Sequence, residues 1–256
     1  MESPTCLNCG EPLAKKYCPA CGQKASVGRI AVPDLVREIP HAIFHLDHGF
    51  LFNVRELFRR PGQAIREYLE GRRKPFFHPL TYLILSLVFN YLAVKITDLH
   101  YYDEAELHRM SAAEAALIME YDATQWWFLE HTYLYVLLAI SIASVALFLF
   151  FRLVGQRFNL AEVVVIISFT IAQGVLMQSI IYFITGWVRN GPFIRTVEVI
   201  NIILLFSYAS YVIYSLLQAG PRPIKRAAGM ALSILAGGGL LAIMVWSAYA
   251  LYGISH

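Results

Sequence analysis

Charged residues are scarce in this chain of 256 residues, because Asp, Glu, Lys and Arg together make up 15%, whereas soluble domains contain about 25%. Residues of the AVILMFWYC set make up 57%, and the mean hydropathy is +0.53. A water-soluble fold of this size could not cover so much apolar surface with so few charges. The composition therefore excludes an ordinary soluble domain and predicts an integral membrane protein.

Signatures of the common enzyme classes are also absent from the sequence. It contains no G-x-S-x-G elbow, no P-loop, no G-x-G-x-x-G before a helix and no H-E-x-x-H. No charged residue lies near the middle of an apolar segment, which argues against a proton-coupled transporter. The start of the chain is polar and lacks a signal peptide, so insertion is expected to depend on internal segments. We therefore expect a protein that is not an enzyme.

Five apolar segments follow one another along the chain, and a helix needs about 20 such residues to cross a bilayer. They cover approximately residues 80–94, 133–151, 163–184, 197–217 and 227–249. The predicted fold class is an all-α polytopic membrane protein with about five transmembrane helices in residues 79–256. The domains expected before this bundle are a small zinc-ribbon knuckle at 1–24 and a linker with amphipathic cytosolic, interfacial helices at 25–78.

The Lys and Arg residues indicate the orientation of the bundle, because cytosolic loops carry an excess of them. With the N-terminus inside, the cytosolic pieces hold 17 and the outer pieces hold 4. This predicts a multi-pass protein of the cell inner (cytoplasmic) membrane, with its N-terminus in the cytosol and His256 outside. The outer acidic loop at 98–132 is expected to contain a short helix at 111–120 and an interfacial anchor at Trp126 and Trp127.

All four cysteines, Cys6, Cys9, Cys18 and Cys21, lie in two C-x-x-C-G turns near the start of the chain. Each turn presents two thiolates to one metal, and its glycine relieves the tight backbone. Four sulfurs form a closed tetrahedral set, which suits a structural zinc and leaves no position for a catalytic water. A redox dithiol is the rival interpretation, but the double pair favours zinc.

Three histidines form a second candidate metal site, at His41, His45 and His48. If Pro40 opens a helix, their side chains share one face, and imidazoles at this spacing can bind zinc or another transition metal. A metal-dependent membrane enzyme centred on them is one alternative function. Histidine is also common at membrane surfaces, and because no catalytic spacing is present, the interfacial interpretation is favoured.

A basic cluster at Arg72, Arg73 and Lys74 precedes the first span. Such a cluster gains about 1 kcal/mol per charge from anionic lipid on the cytosolic leaflet, so these residues are candidates for contact with lipid headgroups. A topology-setting anchor is sufficient to explain them, and recognition of a specific headgroup is the alternative. Further upstream, Asn53 followed by Glu56 predicts a helix start.

Two short motifs lie between the cysteines and the first span, R-P-G at residues 60–62 and Y-L-E-G-R-R at residues 68–73. With the knuckle before them and a Pro-flanked span after them, they resemble a family of uncharacterised bacterial inner-membrane proteins catalogued as a domain of unknown function. The resemblance implies a bacterial cytoplasmic membrane and no established activity. The five-span topology is also similar to that of the Yip/Yif superfamily, whose members act mainly through protein contacts in membrane organisation.

Polar and small residues in the apolar segments indicate how the helices pack. Small residues recur every four positions on the last predicted span, at Gly229, Ser233 and Gly237. Such a stripe lets helices approach closely, within one chain or between copies, so its predicted role is packing and a homo-oligomer is compatible with it. At the start of the fourth segment, Arg195 is placed to pair with Glu198 one helical turn away.

The predicted function is a multi-pass membrane adaptor, scaffold or assembly factor whose zinc-stabilised knuckle docks a protein partner. The alternative is a membrane transporter or lipid-handling protein with a polar path through the bundle, at Asn90, Gln173, Gln178 and Asn201. Nucleic-acid binding is not expected, because residues 1–30 hold only four basic residues and one tyrosine. The expected partners are therefore the lipid bilayer and a protein that contacts the N-terminal region.

Overall fold

The computed structural model describes residues 5–37 and 49–217, in which helices are joined by short turns. The helices are α1 (Val32–Arg37), α2 (Gly49–Arg59), α3 (Pro61–Leu69), α4 (Pro79–Thr97), α5 (Glu104–Leu107), α6 (Ala112–Glu130), α7 (Thr132–Leu153), α8 (Leu160–Thr185) and α9 (Gly191–Leu217). Two isolated antiparallel bridges precede them, one between Thr5 and Pro12 and one between Tyr17 and Lys24. The expectation of an all-α chain is confirmed for this part of the protein.

Four of these helices are long and apolar enough to cross a membrane: α4, residues Tyr133–Leu153 of α7, α8 and α9. They correspond to the first four predicted spans. The fifth predicted span, at 227–249, lies outside the described residues, as do Gly229, Ser233 and Gly237. A bundle of apolar helices is therefore confirmed, and the fifth span stays a prediction.

Helix α8 is the centre of the bundle, since it packs against α4, α7 and α9 and most of its length is buried. At its middle, Phe169 is fully buried, and its ring makes an edge-on contact with the ring of Tyr68 at 5.2 Å between centroids. The Tyr82 hydroxyl of α4 donates to Oε1 of Gln173 on α8. Large aromatic side chains fill the space between the helices, and the buried hydroxyl finds a partner across the interface.

The two ends of the bundle carry different structures. At the end that we call proximal, residues before α1 pack beside α3 and the first turn of α8. At the opposite, distal end, the turn after α8 packs on the end of α4, because a Cβ atom on Gly186 would lie 2.5 Å from Oγ1 of Thr97. The distal end also carries α5 and α6, which connect α4 to α7.

Helix α9 begins at Gly191, earlier than the predicted start at residue 197, because its first turns find polar partners at the distal end. Arg195 donates to the Tyr101 carbonyl oxygen at 2.6 Å and forms an ion pair with Glu106. The expected pair between Arg195 and Glu198 is therefore not formed. Glu198 instead accepts a hydrogen bond from the Tyr182 hydroxyl.

Helix α6 is longer than the predicted helix at 111–120. Its start is capped by Ser111 and Glu114 in a reciprocal capping box, and the hydrogen bonds from Ser111 lower the pKa of the Glu114 carboxyl. The helix continues past residue 120, where the buried Asp122 carboxylate accepts a hydrogen bond from the Tyr101 backbone N–H at 2.8 Å. This contact holds α6 against the loop that follows α4. The periodicity of the sequence could not predict it, because the two residues lie in different elements.

Asn53 lies within α2 and does not cap a helix start, so that prediction is wrong. Its fully buried side chain donates to the Phe77 carbonyl oxygen at 3.1 Å and accepts from the Phe77 backbone N–H at 3.0 Å. These two hydrogen bonds fix α2 to the extended segment before α4. The side chain therefore makes a long-range contact rather than a local cap.

Candidate functional site

The four cysteines lie together at the proximal end, and their sulfur atoms are all within 4.8 Å of one another. The two C-x-x-C-G turns have the same backbone geometry. In the first, Cys6 N–H donates to Glu11 and Gly10 N–H donates to Cys6; in the second, Cys18 N–H donates to Gln23 and Gly22 N–H donates to Cys18. Gly10 and Gly22 have φ of 78° and 72°, which glycine adopts without strain.

The spacing of the sulfur atoms fits a tetrahedral metal site. The Cys6 and Cys21 sulfurs are 3.6 Å apart and the Cys9 and Cys18 sulfurs are 3.5 Å apart, and all four thiols are free. A zinc–sulfur bond of about 2.3 Å gives an edge of roughly 3.8 Å between sulfurs in a tetrahedron. The cluster could therefore hold one metal ion, and its all-sulfur chemistry favours zinc over a hard cation.

Contacts inside the knuckle shift the pKa values of two of these thiols in opposite directions. The Asn8 side chain and the Gln23 backbone N–H lower the pKa of the Cys21 thiol to about 6. By contrast, hydrogen bonds with the neighbouring thiols, that of Cys18 first, raise the pKa of the Cys9 thiol to about 12. A thiolate is the form that binds a metal. No position is left for water when four sulfurs surround one ion, so the arrangement supports a structural role for the metal rather than a catalytic one.

The cysteine knuckle is fixed to the helical bundle by Gln23, which is 5% exposed. Its Nε2 donates to the Gly71 carbonyl oxygen at 2.9 Å, and its Oε1 accepts from the backbone N–H groups of Arg73 and Lys74 at 3.2 and 3.1 Å. The second knuckle turn and the segment between α3 and α4 therefore share one buried hydrogen-bonded contact. Sequence reasoning missed Gln23, since nothing in its spacing distinguishes it from a surface glutamine.

A second attachment joins the linker after the knuckle to the first turn of α8. Arg29 donates from Nε and Nη2 to the two carboxylate oxygens of Glu162, at 2.9 and 2.7 Å. Beside it, the Asn159 side chain donates to the Ile30 carbonyl oxygen at 3.1 Å. The bidentate pair raises the pKa of Arg29. Both contacts hold residues 5–37 at a fixed place on the proximal end.

The basic cluster contributes to the same proximal structure. Arg72 forms an ion pair with Glu67 at 2.8 Å, and Arg73 donates to the Gly28 carbonyl oxygen at 2.7 Å. The aliphatic end of Lys74 approaches Gly22 of the knuckle. Arg72 and Arg73 therefore have partners inside the protein, and contact between this cluster and lipid headgroups stays a prediction. The candidate histidines His41, His45 and His48 lie outside the described residues.

The polar residues predicted to form a path through the bundle are divided between separate places. Asn90 and Gln178 line a cavity of about 150 Å³ at the distal end. Gln178 also borders a much smaller cavity of about 10 Å³ that contacts Asn201, which is room for about one water molecule. Gln173 borders neither cavity, because its side chain is buried against Tyr82. In the described part of the chain, these residues do not form a continuous path.

Residues 47–90 match a family described as "Protein of unknown function (DUF3667)". The matched stretch contains α2, α3 and the first part of α4, and it includes R-P-G and Y-L-E-G-R-R. This agrees with the expected resemblance to an uncharacterised family. No curated protein and no solved structure matches the chain.

Proposed function

We propose that the protein is a multi-pass membrane adaptor, scaffold or assembly factor whose N-terminal knuckle holds a structural zinc and docks a protein partner. The observation that carries the proposal is the fixation of the knuckle by Gln23. A docking surface that is already ordered loses less conformational entropy when a partner binds. The closed set of four sulfurs gives the knuckle a structural role and leaves its outer surface for contact.

The exposed side of the knuckle offers a suitable contact residue. Tyr17 is 62% exposed, and Lys15 and Lys16 beside it are also exposed. Tyrosine supplies a large contact area with few rotatable bonds, which makes it common at binding hot spots. Free thiols at the cluster are consistent with a reducing compartment, so the proposed location of this surface is the cytosolic side of a cell inner membrane.

The test is photo-crosslinking in native membranes, with a photoreactive amino acid in place of Tyr17. The matched control carries the same amino acid in place of Tyr133, which is 58% exposed at the distal start of α7. We expect one crosslinked product of defined mass from position 17 and none of that mass from position 133. The product should disappear in a Cys18→Ser, Cys21→Ser background at matched membrane abundance, because the knuckle then cannot close around a metal.

Two outcomes would contradict the adaptor function. The first is a crosslink from position 17 that survives loss of the two cysteines, because docking would then not depend on the folded knuckle. The second is the absence of any partner together with movement of a solute by the purified protein in liposomes. That combination would favour the second candidate function, a membrane transporter or lipid-handling protein, which the distal cavity beside Asn90 and Gln178 supports.

A further inference from the structure

The distal cavity combines a carboxylate with aromatic walls. It lies between α4, α6, α8 and α9, and it has a volume of about 150 Å³. Its polar lining includes Asn90, Gln178, Tyr182 and Glu198. The aromatic lining includes Trp126 from α6, so a helix within the acidic loop at 98–132 closes one side of the cavity.

Among the described residues that line the cavity, Glu198 is the only acidic one and none is Lys or Arg. Its carboxylate accepts a hydrogen bond from the Tyr182 hydroxyl, which in turn accepts from Nε2 of Gln178 at 3.0 Å. Arg195, which precedes Glu198 by three residues on the same helix, forms an ion pair with Glu106. Within residues 5–37 and 49–217, Glu198 forms no ion pair. A carboxyl group in an aromatic pocket without a basic partner is suited to a cationic ligand, because the cation would offset the cost of a buried negative charge and would also be attracted by the aromatic rings.

A second polar side chain that lines the cavity, Asn90, has a donor without a hydrogen-bond partner among the described residues. Asn90 is 9% exposed, and its Nδ2 makes no hydrogen bond to the described residues. A buried amide donor without an acceptor is unfavourable, so a ligand that brings an acceptor would be stabilised here. The cavity therefore offers an acceptor for a cation at Glu198 and a donor for an oxygen at Asn90.

The other basic residue near the cavity does not compete for this site. Nζ of Lys95 lies 4.5 Å from the centroid of the Trp126 ring and 3.7 Å from a carboxylate oxygen of Glu130. Its charge is therefore engaged by the indole ring and by Glu130, and Lys95 is not among the residues that line the cavity. Neither Arg195 nor Lys95 is therefore paired with Glu198, and its carboxyl group can accept a cation that enters the cavity.

The geometry points to a binding site for a small ammonium group with an oxygen on the neighbouring carbon, as in ethanolamine. Glu198 would accept hydrogen bonds from the ammonium group, and Asn90 would donate to the oxygen. A cavity of about 150 Å³ holds a ligand of benzene size, about six non-hydrogen atoms, and ethanolamine fits within that limit. The same aminoethyl group occurs free in solution and as the headgroup of phosphatidylethanolamine, so the source is decided by experiment.

This inference deepens the second candidate function, because it names a ligand for the same cavity, and it does not depend on transport. If the ligand binds but is not moved across liposome membranes, the binding site would be supported and the transporter function would be contradicted. Binding with movement would support both. The adaptor function rests on the opposite end of the molecule and is unaffected by either result.

The first experiment measures binding of free ligands to the purified full-length protein in detergent by saturation-transfer NMR. Ethanolamine is compared with ethylene glycol, which lacks the charge, and with ethylamine, which lacks the hydroxyl. For so small a ligand we expect an ethanolamine Kd between about 0.1 and 10 mM. Ethylene glycol should bind at least about tenfold more weakly, because it loses the charge-assisted hydrogen bond to the carboxylate.

Two variants test whether Glu198 and Asn90 are the residues that favour ethanolamine over ethylene glycol and ethylamine. Glu198→Gln keeps the shape of the side chain and should weaken the binding of ethanolamine at least about tenfold. Asn90→Leu should lower the affinity for ethanolamine to that for ethylamine. The matched control is Glu104→Gln, an exposed acidic residue of α5 that does not line the cavity, and it should leave all three affinities unchanged. Unaltered ethanolamine binding in Glu198→Gln would overturn the inference.

The second experiment identifies the source of the aminoethyl group. Native mass spectrometry would compare retention of phosphatidylethanolamine and phosphatidylglycerol by wild type and by Glu198→Gln. Selective retention of phosphatidylethanolamine that Glu198→Gln abolishes assigns the site to a lipid headgroup, and ethanolamine binding without lipid retention assigns it to a free solute. If wild type binds neither ethanolamine nor that lipid, or binds ethylene glycol equally well, the inference is wrong.

Discussion

Gly62 and Ser215 lie so close together that no side chain fits between them: a Cβ atom on Gly62 would be 2.7 Å from the Ser215 carbonyl carbon. This contact joins α3 to the end of α9, and it gives a physical reason for the glycine of R-P-G. We expect Gly62→Ala to lower the free energy of unfolding by about 1–3 kcal/mol, because the two helices must separate. The measurement is SDS-induced unfolding of the purified protein.

The control for this prediction is Gly28→Ala. Gly28 lies in the linker before α1, and a Cβ atom there would contact nothing within 4 Å. Equal stability of wild type and Gly62→Ala would contradict the close packing of α3 on α9. A similar loss in both variants would assign the effect to glycine content rather than to the contact.

Gln23→Ala should detach the knuckle from the bundle without removing its metal. The substitution leaves the Lys74 backbone N–H without the Gln23 acceptor, at a cost of about 1–3 kcal/mol. Trypsin should then cleave at Lys24 and Arg29 at least about tenfold faster, while zinc content stays the same. Gln63→Ala is the matched control, because Gln63 is an exposed glutamine with a hydrogen bond to Glu67. Unchanged cleavage in Gln23→Ala would refute the proposed attachment.

The features that sequence reasoning recovered are those specified by local spacing. Two C-x-x-C-G turns bring four sulfurs together because each turn has the same short hydrogen bonds and a glycine with positive φ. The apolar helices follow from length and composition, since a run of about 20 apolar residues is sufficient to define a span. Each pattern lies within one continuous stretch of about 20 residues or fewer, which is why the sequence alone is enough to predict it.

The features that it missed depend on residues far apart in the chain. Arg195 was expected to pair with its near neighbour Glu198, but it pairs with Glu106, which the folded acidic loop brings to the start of α9. Because Arg195 pairs with Glu106, Glu198 has no ion pair with it and lines the distal cavity. Asn53 was assigned a capping role, yet its partner is the backbone of Phe77. Spacing along one helix could not identify either partner, because both are set by tertiary packing.

His78 should make the protein less stable in mild acid. Burial lowers the pKa of its imidazole to about 4, against about 6.5 when exposed. Between these pH values the unfolded state binds a proton that the folded state does not. The contribution of His78 to the free energy of unfolding is therefore fully present above about pH 6.5, and it is lost as the pH falls to about 4, by up to about 3 kcal/mol. SDS unfolding measured from pH 7.5 to 4 should show this loss.

The contribution of His78 can be separated from that of other groups with two variants. His78→Asn should flatten the pH dependence between pH 6.5 and 4, because no imidazole remains to be protonated there. His108→Asn is the control, since His108 is exposed at the distal end. If His78→Asn keeps the wild-type profile, the acid sensitivity arises elsewhere and the assignment to His78 fails.

Metal analysis decides between one metal site and two. The cysteine cluster predicts one zinc per chain, and Cys18→Ser should abolish it because three sulfurs cannot close the tetrahedron. A second equivalent that survives Cys18→Ser would support the site predicted at His41, His45 and His48. Zinc should be retained at pH 7.5 and released on acidification, since protons compete with the metal for the thiolates.

Cys18→Ser should also increase trypsin cleavage at Lys24, because Cys18 N–H donates to the Gln23 carbonyl and Gln23 holds the knuckle to Gly71. A zinc-free wild type with slow cleavage would show that the metal is not needed to keep the knuckle in place.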